Sequence, residues 1–236
     1  MNIPKKIHYC WFGSGEMDKL SQRCLASWQQ FCPDYKLVRW NENNSPLKAN
    51  AYVQQAYAAG KWAFVSDYVR VWALCRQGGI YLDTDLELLA PLDDFLENEA
   101  FMGFEAIDKV ATCMLGCQAE NSFFVRLLAE YSDKQFVCPD GSFDETTNVE
   151  LLTKLLVESG LEFDNQKQLV AGVCVYPQDY FSPKDLQTGK INCTARTVAI
   201  HHFRASWMSK RQRFNTRAAQ LLGPRLTGII KRGLGR

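Results

Sequence analysis

Residues 78–85, Gly-Gly-Ile-Tyr-Leu-Asp-Thr-Asp, decide the fold, because here an apolar run ends in two acidic residues. The glycine pair ends a helix that apolar spacing predicts over 63–76. Residues 80–82 are short and apolar enough to form a buried strand that stops at Asp83. The segment therefore predicts a helix, a tight connection and a central strand in succession.

The same alternation of elements extends in both directions from this segment. Period-two and β-branched stretches predict strands, and apolar residues at helical spacing predict helices. The further strands are predicted at 3–12, 35–40, 86–89, 100–105, 169–176 and 197–202, and the further helices at 17–31, 50–59, 122–131 and 148–158. Strands that alternate with helices predict an α/β fold with a mainly parallel central sheet.

Asp83 and Asp85 follow the end of the predicted strand. Ligands of such sheets bind outside the carboxyl ends of the strands. Two carboxylates one residue apart on a tight connection can share one hard divalent cation, and oxygen ligands suit Mg²⁺ or Mn²⁺. A cation in this place can bridge a pyrophosphate and stabilise its charge. The pair therefore predicts a metal site.

A second charged pair, Asp67 and Arg70, lies on the helix before this strand, within Phe-Val-Ser-Asp-Tyr-Val-Arg at 64–70. Their spacing of three residues places both on one face of the helix. The helix is apolar over most of its circumference, so these side chains are predicted to be partly buried. Buried charges are costly unless they are paired or used, which makes both residues candidates for the site.

Together these two blocks resemble the Asp-x-Asp sugar transferases of glycosyltransferase family 32. The family includes bacterial capsule and lipopolysaccharide transferases and the initiating α-1,6-mannosyltransferases of the fungal Golgi. It is similar to the catalytic domain of the large glucosylating bacterial toxins. The opening Ile-Pro-Lys-Lys-Ile-His-Tyr-Cys-Trp-Phe-Gly at 3–13 and the closing His-His-Phe-Arg-Ala-Ser-Trp at 201–207 resemble the family's ends, with Phe203 where a tryptophan is usual.

The resemblance implies a GT-A type, Rossmann-like single domain, with bounds 1–208. The basic and apolar residues that follow predict an amphipathic helical tail over 209–236. The resemblance further implies a retaining transferase that moves a hexose or N-acetylhexosamine from a nucleotide-diphosphate sugar to a glycan. A UDP-sugar is the favoured donor, because the Trp11 region resembles UDP-using relatives, and GDP-mannose stays open. The implied acceptor is a glycan or lipid-linked glycan of a bacterial surface, such as capsule or lipopolysaccharide O-antigen.

The resemblance also implies roles for the acidic and basic residues. Asp83 would contact the donor sugar or ribose, and Asp85 would bind Mn²⁺ or Mg²⁺ directly. Asp67 and Arg70 would hold the hydroxyls of the sugar. Either His201 or His202 would add a metal ligand, since adjacent strand residues face opposite ways and only one can reach the metal.

Four further residues complete the implied site. Trp11 offers a flat aromatic face for the nucleotide base. Ser206 and Trp207 would contact the metal or the β-phosphate. Asn148 either places an amide near the reactive face of the sugar or is the N-cap of the predicted helix over 148–158. The third histidine, His8, is predicted to be structural.

The charge distribution is uneven along the 236 residues. Nine of the 27 Lys and Arg residues, and none of the 26 Asp and Glu residues, lie from Arg204 onward, so residues 1–203 carry a net charge of −8. This basic, partly apolar tail suits an anionic membrane surface, and the alternatives are a solvated helix packed on the domain or a disordered end. It lacks the interleaved aromatics of nucleic-acid binding, and no nucleic-acid partner is expected.

The nine cysteines contain no CxxC pair and lie largely in apolar runs, which predicts reduced, buried thiols. Neither a secretory signal nor a run of 18 apolar residues is present. These features predict a cytoplasmic protein, with the tail favouring a peripheral place on the inner face of the membrane.

Two other functions fit parts of the pattern. A haloacid-dehalogenase phosphatase also uses a strand-end Asp-x-Asp, but Glu87 stands where its Thr or Val is expected and no paired acidic motif follows downstream. A non-catalytic sugar-nucleotide or membrane-binding module of transferase descent would share the fold. The presence of Asp67, Arg70, Asp83 and Asp85 favours the enzyme.

Overall fold

A computed structural model describes residues 2–185 and 188–204 of the chain. Strands and helices alternate over most of this length. The strands are β1 Lys6–Cys10, β2 Lys36–Trp40, β3 Gly79–Leu82, β4 Leu86–Leu88, β5 Ala100–Ala106, β6 Lys109–Val110, β7 Met114–Cys117, β8 Gln168–Val170, β9 Val173–Tyr176 and β10 Ala199–His201. The helices are α1 Lys19–Phe31, α2 Ala51–Ala58, α3 Trp62–Gln77, α4 Ser122–Ala129, α5 Asn148–Glu158 and α6 Gln178–Phe181.

The central sheet has the strand order β2-β1-β3-β7-β5-β9-β8, and β6 pairs with β5. β1 is parallel to β2 and β3, and β5 is parallel to β9. β7 lies antiparallel between β3 and β5, so those two strands point the same way. Within the described residues, β1, β2, β3, β5 and β9 therefore share one direction. The predicted α/β fold with a mainly parallel central sheet is confirmed.

Three details of the sheet differ from the sequence prediction, and the first is that the short strand β6 was not predicted. The strand predicted over 169–176 is a hairpin of β8 and β9, because Ala171 and Gly172 both have positive φ (49° and 77°) and form a two-residue turn. β7 was not predicted. It fits between its neighbours because Gly116 lies against Phe101, where a Cβ atom would come within 2.1 Å of the ring.

A second, two-stranded sheet pairs β4 with β10 in antiparallel register, with His201 opposite Leu86. Trp28 of α1 anchors β4 by donating its Nε1–H to the carbonyl of Leu86 at 2.7 Å. Beyond the paired strands, the amide of His202 donates to the carbonyl of Asp85 at 3.0 Å. A segment over 100 residues downstream is thereby fixed beside the Asp-x-Asp turn.

Apolar side chains cover both faces of the central sheet in two buried clusters. The first includes Phe64, Val65 and Leu74 of α3 and Leu152 of α5, and the second includes Trp28 of α1. All nine cysteines are free, and most are buried, as predicted. Helix α3 is buried along most of its length, including Asp67 and Arg70. The core therefore fixes the helix that carries the charged pair.

His8 is fully buried in β1 and has a single compatible protonation state. The Nε1–H of Trp40 donates to His8 Nδ1 at 3.1 Å, and His8 Nε2 lies 2.9 Å from the carbonyl oxygen of Gly78. A tryptophan N–H can only donate and a carbonyl can only accept, so the ring is neutral with its proton on Nε2. A second proton on Nδ1 would face the Trp40 donor, and burial lowers the pKa of His8 to about 4. These contacts agree with the predicted structural role.

His8 is expected to make the free energy of unfolding depend on pH. Its folded pKa lies below the unfolded value, so its contribution is complete above about pH 6.5 and is lost as the pH falls through about 4. Between pH 7 and pH 4 we expect the free energy of unfolding to fall by about 3 kcal/mol more in the wild-type chain than in a His8→Gln variant. Urea titrations followed by tryptophan fluorescence measure both losses. Equal losses in the two chains would show that His8 is not held neutral.

Candidate metal and donor site

Asp83 and Asp85 flank a tight turn between β3 and β4. The amide of Asp83 donates to the carbonyl of Cys113 at 2.9 Å, and the carbonyl of Asp83 accepts from the amide of Leu86 at 2.9 Å. The turn lies at the carboxyl end of β3, where the sequence predicted it. Both carboxylates emerge from apolar strands, and that of Asp85 is buried. The backbone therefore holds two acids at the edge of the core.

Arg70 connects the charged pair on α3 to this turn. Its Nη2 lies 3.1 Å from Asp67 Oδ1, and its Nη1 lies 3.3 Å from Asp83 Oδ1. Nη1 also donates to the carbonyl of Thr112 at 3.0 Å. The guanidinium stacks over Tyr81, with 4.6 Å from Cζ to the ring centroid. The predicted pairing and burial of Asp67 and Arg70 are present, and Asp83 belongs to the same network.

Asp67 is unusual among these acids because burial raises its pKa to about 6, although Arg70 and the Asn148 amide act in the opposite direction. At neutral pH the group is still ionised. A buried carboxylate next to a guanidinium presents an acceptor and donors side by side. Such an arrangement suits the hydroxyl groups of a sugar.

Asn148 lies behind Asp67 at the start of α5. The N-cap is Thr147, which forms a capping box with Glu150, so the alternative that Asn148 is the N-cap is wrong. Asn148 Nδ2 donates to the Asp67 carbonyl at 2.7 Å, and its backbone amide donates to Asp67 Oδ2 at 3.3 Å. Tyr131 donates its hydroxyl hydrogen to Asn148 Oδ1. Asn148 therefore holds Asp67 in place through these hydrogen bonds. A contact between Asn148 and the sugar stays a prediction.

His201 is the histidine that faces the acidic turn. One ligand atom each from Asp83, Asp85 and His201 lie within 4.8 Å of one another, and His201 Nε2 is 3.5 Å from Asp85 Oδ1. His202 points the other way, with its Nε2 2.8 Å from Glu87 Oε2. Two carboxylates and an imidazole form a donor set that fits Mn²⁺ or Mg²⁺. Of the two histidines, His201 is therefore the candidate metal ligand.

Asp85 and His201 also affect the pKa of each other, since His201 Nε2 lies 3.5 Å from Asp85 Oδ1. Burial opposes ionisation of Asp85, but His201 and the Arg204 amide hold the pKa of the carboxyl well below its usual range. Burial likewise opposes the imidazolium, while Cys113 and Asp85 raise the pKa of His201 above its ordinary value. A cation that binds here must replace the imidazole proton. Metal affinity is therefore expected to weaken as the pH falls.

Trp11 lies just beyond β1 on the same side of the molecule. Its Nε1–H donates to the carbonyl of Gly15 at 2.8 Å. It lines a cavity of about 520 Å³ together with Ser14, Gly15, Glu16, Met17, Gln22 and Arg39. The ring is only partly buried, so a flat face remains available beside the cavity.

Arg204 links Trp11 to the metal motif. Its backbone amide donates to Asp85 Oδ2 at 2.7 Å, and its guanidinium lies 5.7 Å from the Trp11 ring centroid and 3.1 Å from Asp18 Oδ2. Phe203, just before it, has a φ of 53°, which turns the chain toward the site. This connection was not predicted, because the sequence does not indicate how the chain turns after β10.

Glu105 is a further acid that the sequence analysis did not select. It lies near the end of β5, and burial raises its pKa, with the charge of His201 acting in the opposite direction. Its position near the carboxyl end of an apolar strand resembles the signal that marked Asp83, and could have identified it. Ser206, Trp207, the domain boundary at 208 and the basic tail lie outside the described residues.

Comparisons with known proteins agree with this geometry. Residues 18–102 match the model of the glycosyltransferase sugar-binding region containing the DXD motif, which includes Asp67, Arg70, Asp83 and Asp85. No curated protein sequence matches the chain. The structure is similar to the PaToxG glycosyltransferase, with 16% sequence identity, a TM-score of 0.51, and coverage of 66% of this chain and 69% of that chain.

The chain has a glycosyltransferase fold. Weaker similarities are found to the UDP-bound glycosyltransferase domain from the YGT toxin, with 12% identity, a TM-score of 0.41, and coverage of 55% of this chain and 61% of that chain. Another is to the galactosyltransferase LgtC in complex with donor and acceptor sugar analogues, with 11% identity, a TM-score of 0.43, and coverage of 94% and 99%. At 16% identity the similarity to PaToxG supports the fold alone, and the reaction has to be argued from the residues.

Proposed function

We propose that this protein transfers a hexose or N-acetylhexosamine from a nucleotide-diphosphate sugar, with a UDP-sugar favoured, to a glycan acceptor. One observation carries the proposal. The metal-ligand cluster of Asp83, Asp85 and His201 adjoins the buried Asp67–Arg70 pair, with Arg70 touching both Asp67 and Asp83. A diphosphate held at the cluster would place its attached sugar against that pair.

The proposed roles follow from these contacts. Asp85 and His201 would hold Mn²⁺ or Mg²⁺, which when bound would offset the charge on the departing diphosphate. Asp83 would contact the donor, while Asp67 and Arg70 would hold sugar hydroxyls. Trp11 would stack on the nucleotide base at the cavity it lines. Ser206 and Trp207 are proposed to complete the phosphate contacts.

The proposed transfer retains the anomeric configuration. The acceptor hydroxyl oxygen bonds to the anomeric carbon on the face from which the diphosphate leaves. The bond from that carbon to the diphosphate oxygen breaks, and the hydroxyl proton passes to the same oxygen. Arg70, which contacts Asp83, would stabilise the charge that develops there. Nuclear magnetic resonance of the product tests this step, since an inverted anomeric centre would contradict it.

The proposed setting is the synthesis of a bacterial surface polysaccharide, either capsule or lipopolysaccharide O-antigen, at the inner face of the cytoplasmic membrane. Among the described residues, no helix combines the length and apolar character needed to cross a bilayer. Contact with lipid would instead use the basic residues from Lys210 onward. A lipid-linked glycan acceptor would then meet the enzyme at the membrane surface.

A donor panel tests the proposed activity. The protein is incubated with UDP-glucose, UDP-galactose, UDP-N-acetylhexosamines and GDP-mannose, with and without Mn²⁺, and free nucleoside diphosphate is measured. We expect release from one donor class that requires the cation, even without an acceptor, because water can replace the acceptor. Binding of a nucleotide sugar without turnover in the presence of a glycan acceptor would instead identify a non-catalytic module.

A further inference from the structure

The Arg204 side chain extends from the metal cluster to the Trp11 ring. The backbone amide of Arg204 donates to Asp85 Oδ2 at 2.7 Å, and the guanidinium lies 5.7 Å from the Trp11 ring centroid. Asp85 belongs to the candidate metal cluster, and Trp11 is the proposed platform for the nucleotide base. A nucleotide sugar bound at both places would therefore have its diphosphate beside this guanidinium.

The polar contacts of the guanidinium lie near the start of α1. Its Nη2 is 3.1 Å from Asp18 Oδ2, and its Nη1 donates to Ser21 Oγ at 3.4 Å. Asp18 is the N-cap of α1, and its other oxygen, Oδ1, accepts from the Ser21 amide independently of Arg204. The side chains of Arg204 and Asp18 are 32% and 41% exposed. Exposed ion pairs contribute little to stability, so a more highly charged anion can take the guanidinium from Asp18.

The charges around the metal cluster favour a further cation at the diphosphate. Asp67, Asp83 and Asp85 supply three carboxylates, and Arg70 is shared between Asp67 and Asp83. A bound divalent cation would balance the excess of negative charge, but the diphosphate would then add more. A guanidinium suits that added charge, because its planar fork of N–H groups can bond two phosphate oxygens at once.

We propose that Arg204 binds the diphosphate of the donor, and that Asp18 holds the guanidinium in place until the diphosphate replaces it. The proposal rests on the proposed function and adds one residue to the donor site. It separates the two parts of Arg204: the backbone amide supports Asp85, and the side chain binds the ligand. A purely structural role of the side chain would affect the binding of a nucleoside and of its diphosphate alike.

The test compares Arg204→Gln, Arg204→Lys and Asp18→Asn with the control Arg196→Gln. Arg196 has similar surroundings, since its Nε lies 2.7 Å from Asp179 Oδ2 and its guanidinium lies 5.4 Å from the Tyr180 ring centroid. It precedes β10, whereas Arg204 follows that strand. Calorimetric titration of the full chain with UDP and with uridine, in the presence of Mn²⁺, gives the dissociation constants. Melting temperatures report folding.

We expect Arg204→Gln to weaken UDP binding about tenfold or more and to leave uridine binding unchanged, because only UDP carries the anion. Arg204→Lys should recover part of the UDP affinity. Asp18→Asn should bind UDP at least as tightly as the wild type, since asparagine keeps the N-cap while the competing charge is removed. Arg196→Gln should bind both ligands as the wild type does.

Three results would overturn the proposal. The first is equal UDP affinity in folded Arg204→Gln and wild type, and the second is a parallel loss of UDP and uridine affinity in that variant. The third is a weaker affinity of Arg204→Gln for Mn²⁺ without nucleotide, measured by electron paramagnetic resonance. Such a loss would mean that the side chain acts through the metal site, although the amide that contacts Asp85 is retained.

The wild-type titration separates a failure of this proposal from a failure of the proposed function. If the wild type binds neither UDP nor GDP, the proposed function is wrong and the role of Arg204 falls with it. If it binds only GDP, the same comparison is made with GDP and guanosine. If the wild type binds a nucleoside diphosphate and Arg204→Gln binds it equally well, only the role of Arg204 is wrong.

Discussion

An Asp85→Asn variant is expected to fold normally and to lose transferase activity by a factor on the order of a thousand, the size of effect that follows removal of one preorganised electrostatic group. The asparagine oxygen can still accept from the Arg204 amide, so the local backbone should be retained. The negative charge that pairs with His201 and would bind the cation is gone. Initial rates over a range of Mn²⁺ concentrations measure the loss.

Glu87→Gln is the matched control for this variant. Glu87 lies two residues along the same segment but contacts His202 and Arg23 on the other side of the strand pair. It should keep near wild-type rates and the same requirement for Mn²⁺. If Asp85→Asn kept full cation-dependent transfer, the assignment of the metal to this turn would be refuted.

Arg70→Met is expected to lower the free energy of unfolding by about 3–5 kcal/mol, the usual cost of removing one partner from a buried ion pair. The guanidinium contacts both Asp67 and Asp83, and its side chain is only 7% exposed. Its removal leaves Asp67, whose pKa burial already raises to about 6, without its nearby cation. Urea denaturation without divalent cations measures the change.

The control for Arg70→Met is Arg126→Met, which breaks an exposed pair with Glu158 at 2.6 Å. Surface pairs of this kind contribute about 0–1 kcal/mol. If Arg126→Met lowers the free energy of unfolding only slightly and Arg70→Met lowers it strongly, burial determines the cost of breaking the ion pair. Similar losses in both would mean that the Asp67–Arg70–Asp83 network is well solvated.

Most of the fold could be predicted because its helices and strands have recognisable signals in the local sequence. Helix α2 starts at the N-cap Asn50, α3 ends at Gly78-Gly79, and both carry apolar residues at helical spacing. β7 could not be predicted, because four apolar residues give no period and its place depends on Phe101 filling the space over Gly116. The β8–β9 hairpin was missed because its turn begins at Ala171, a residue that rarely adopts positive φ.

The candidate site likewise contains some residues that local sequence patterns predicted and others that only the structure shows. Asp67, Arg70, Asp83 and Asp85 lie within 19 residues of sequence, so a short pattern was enough to select them. The choice of His201 over His202 needed the β4–β10 register, which pairs segments more than 100 residues apart. Arg204 and Cys113 reach the site only through the chain's path in three dimensions. Local patterns therefore identified the acids, and tertiary contacts identified the groups around them.

Anomalous diffraction from crystals grown with Mn²⁺ and UDP tests the central claim most directly. We predict a manganese peak between Asp83, Asp85 and His201. The diphosphate of UDP should contact the manganese ion, and the uracil should stack on Trp11. A manganese peak elsewhere, or UDP bound away from the Asp83–Asp85 turn, would contradict the proposed site.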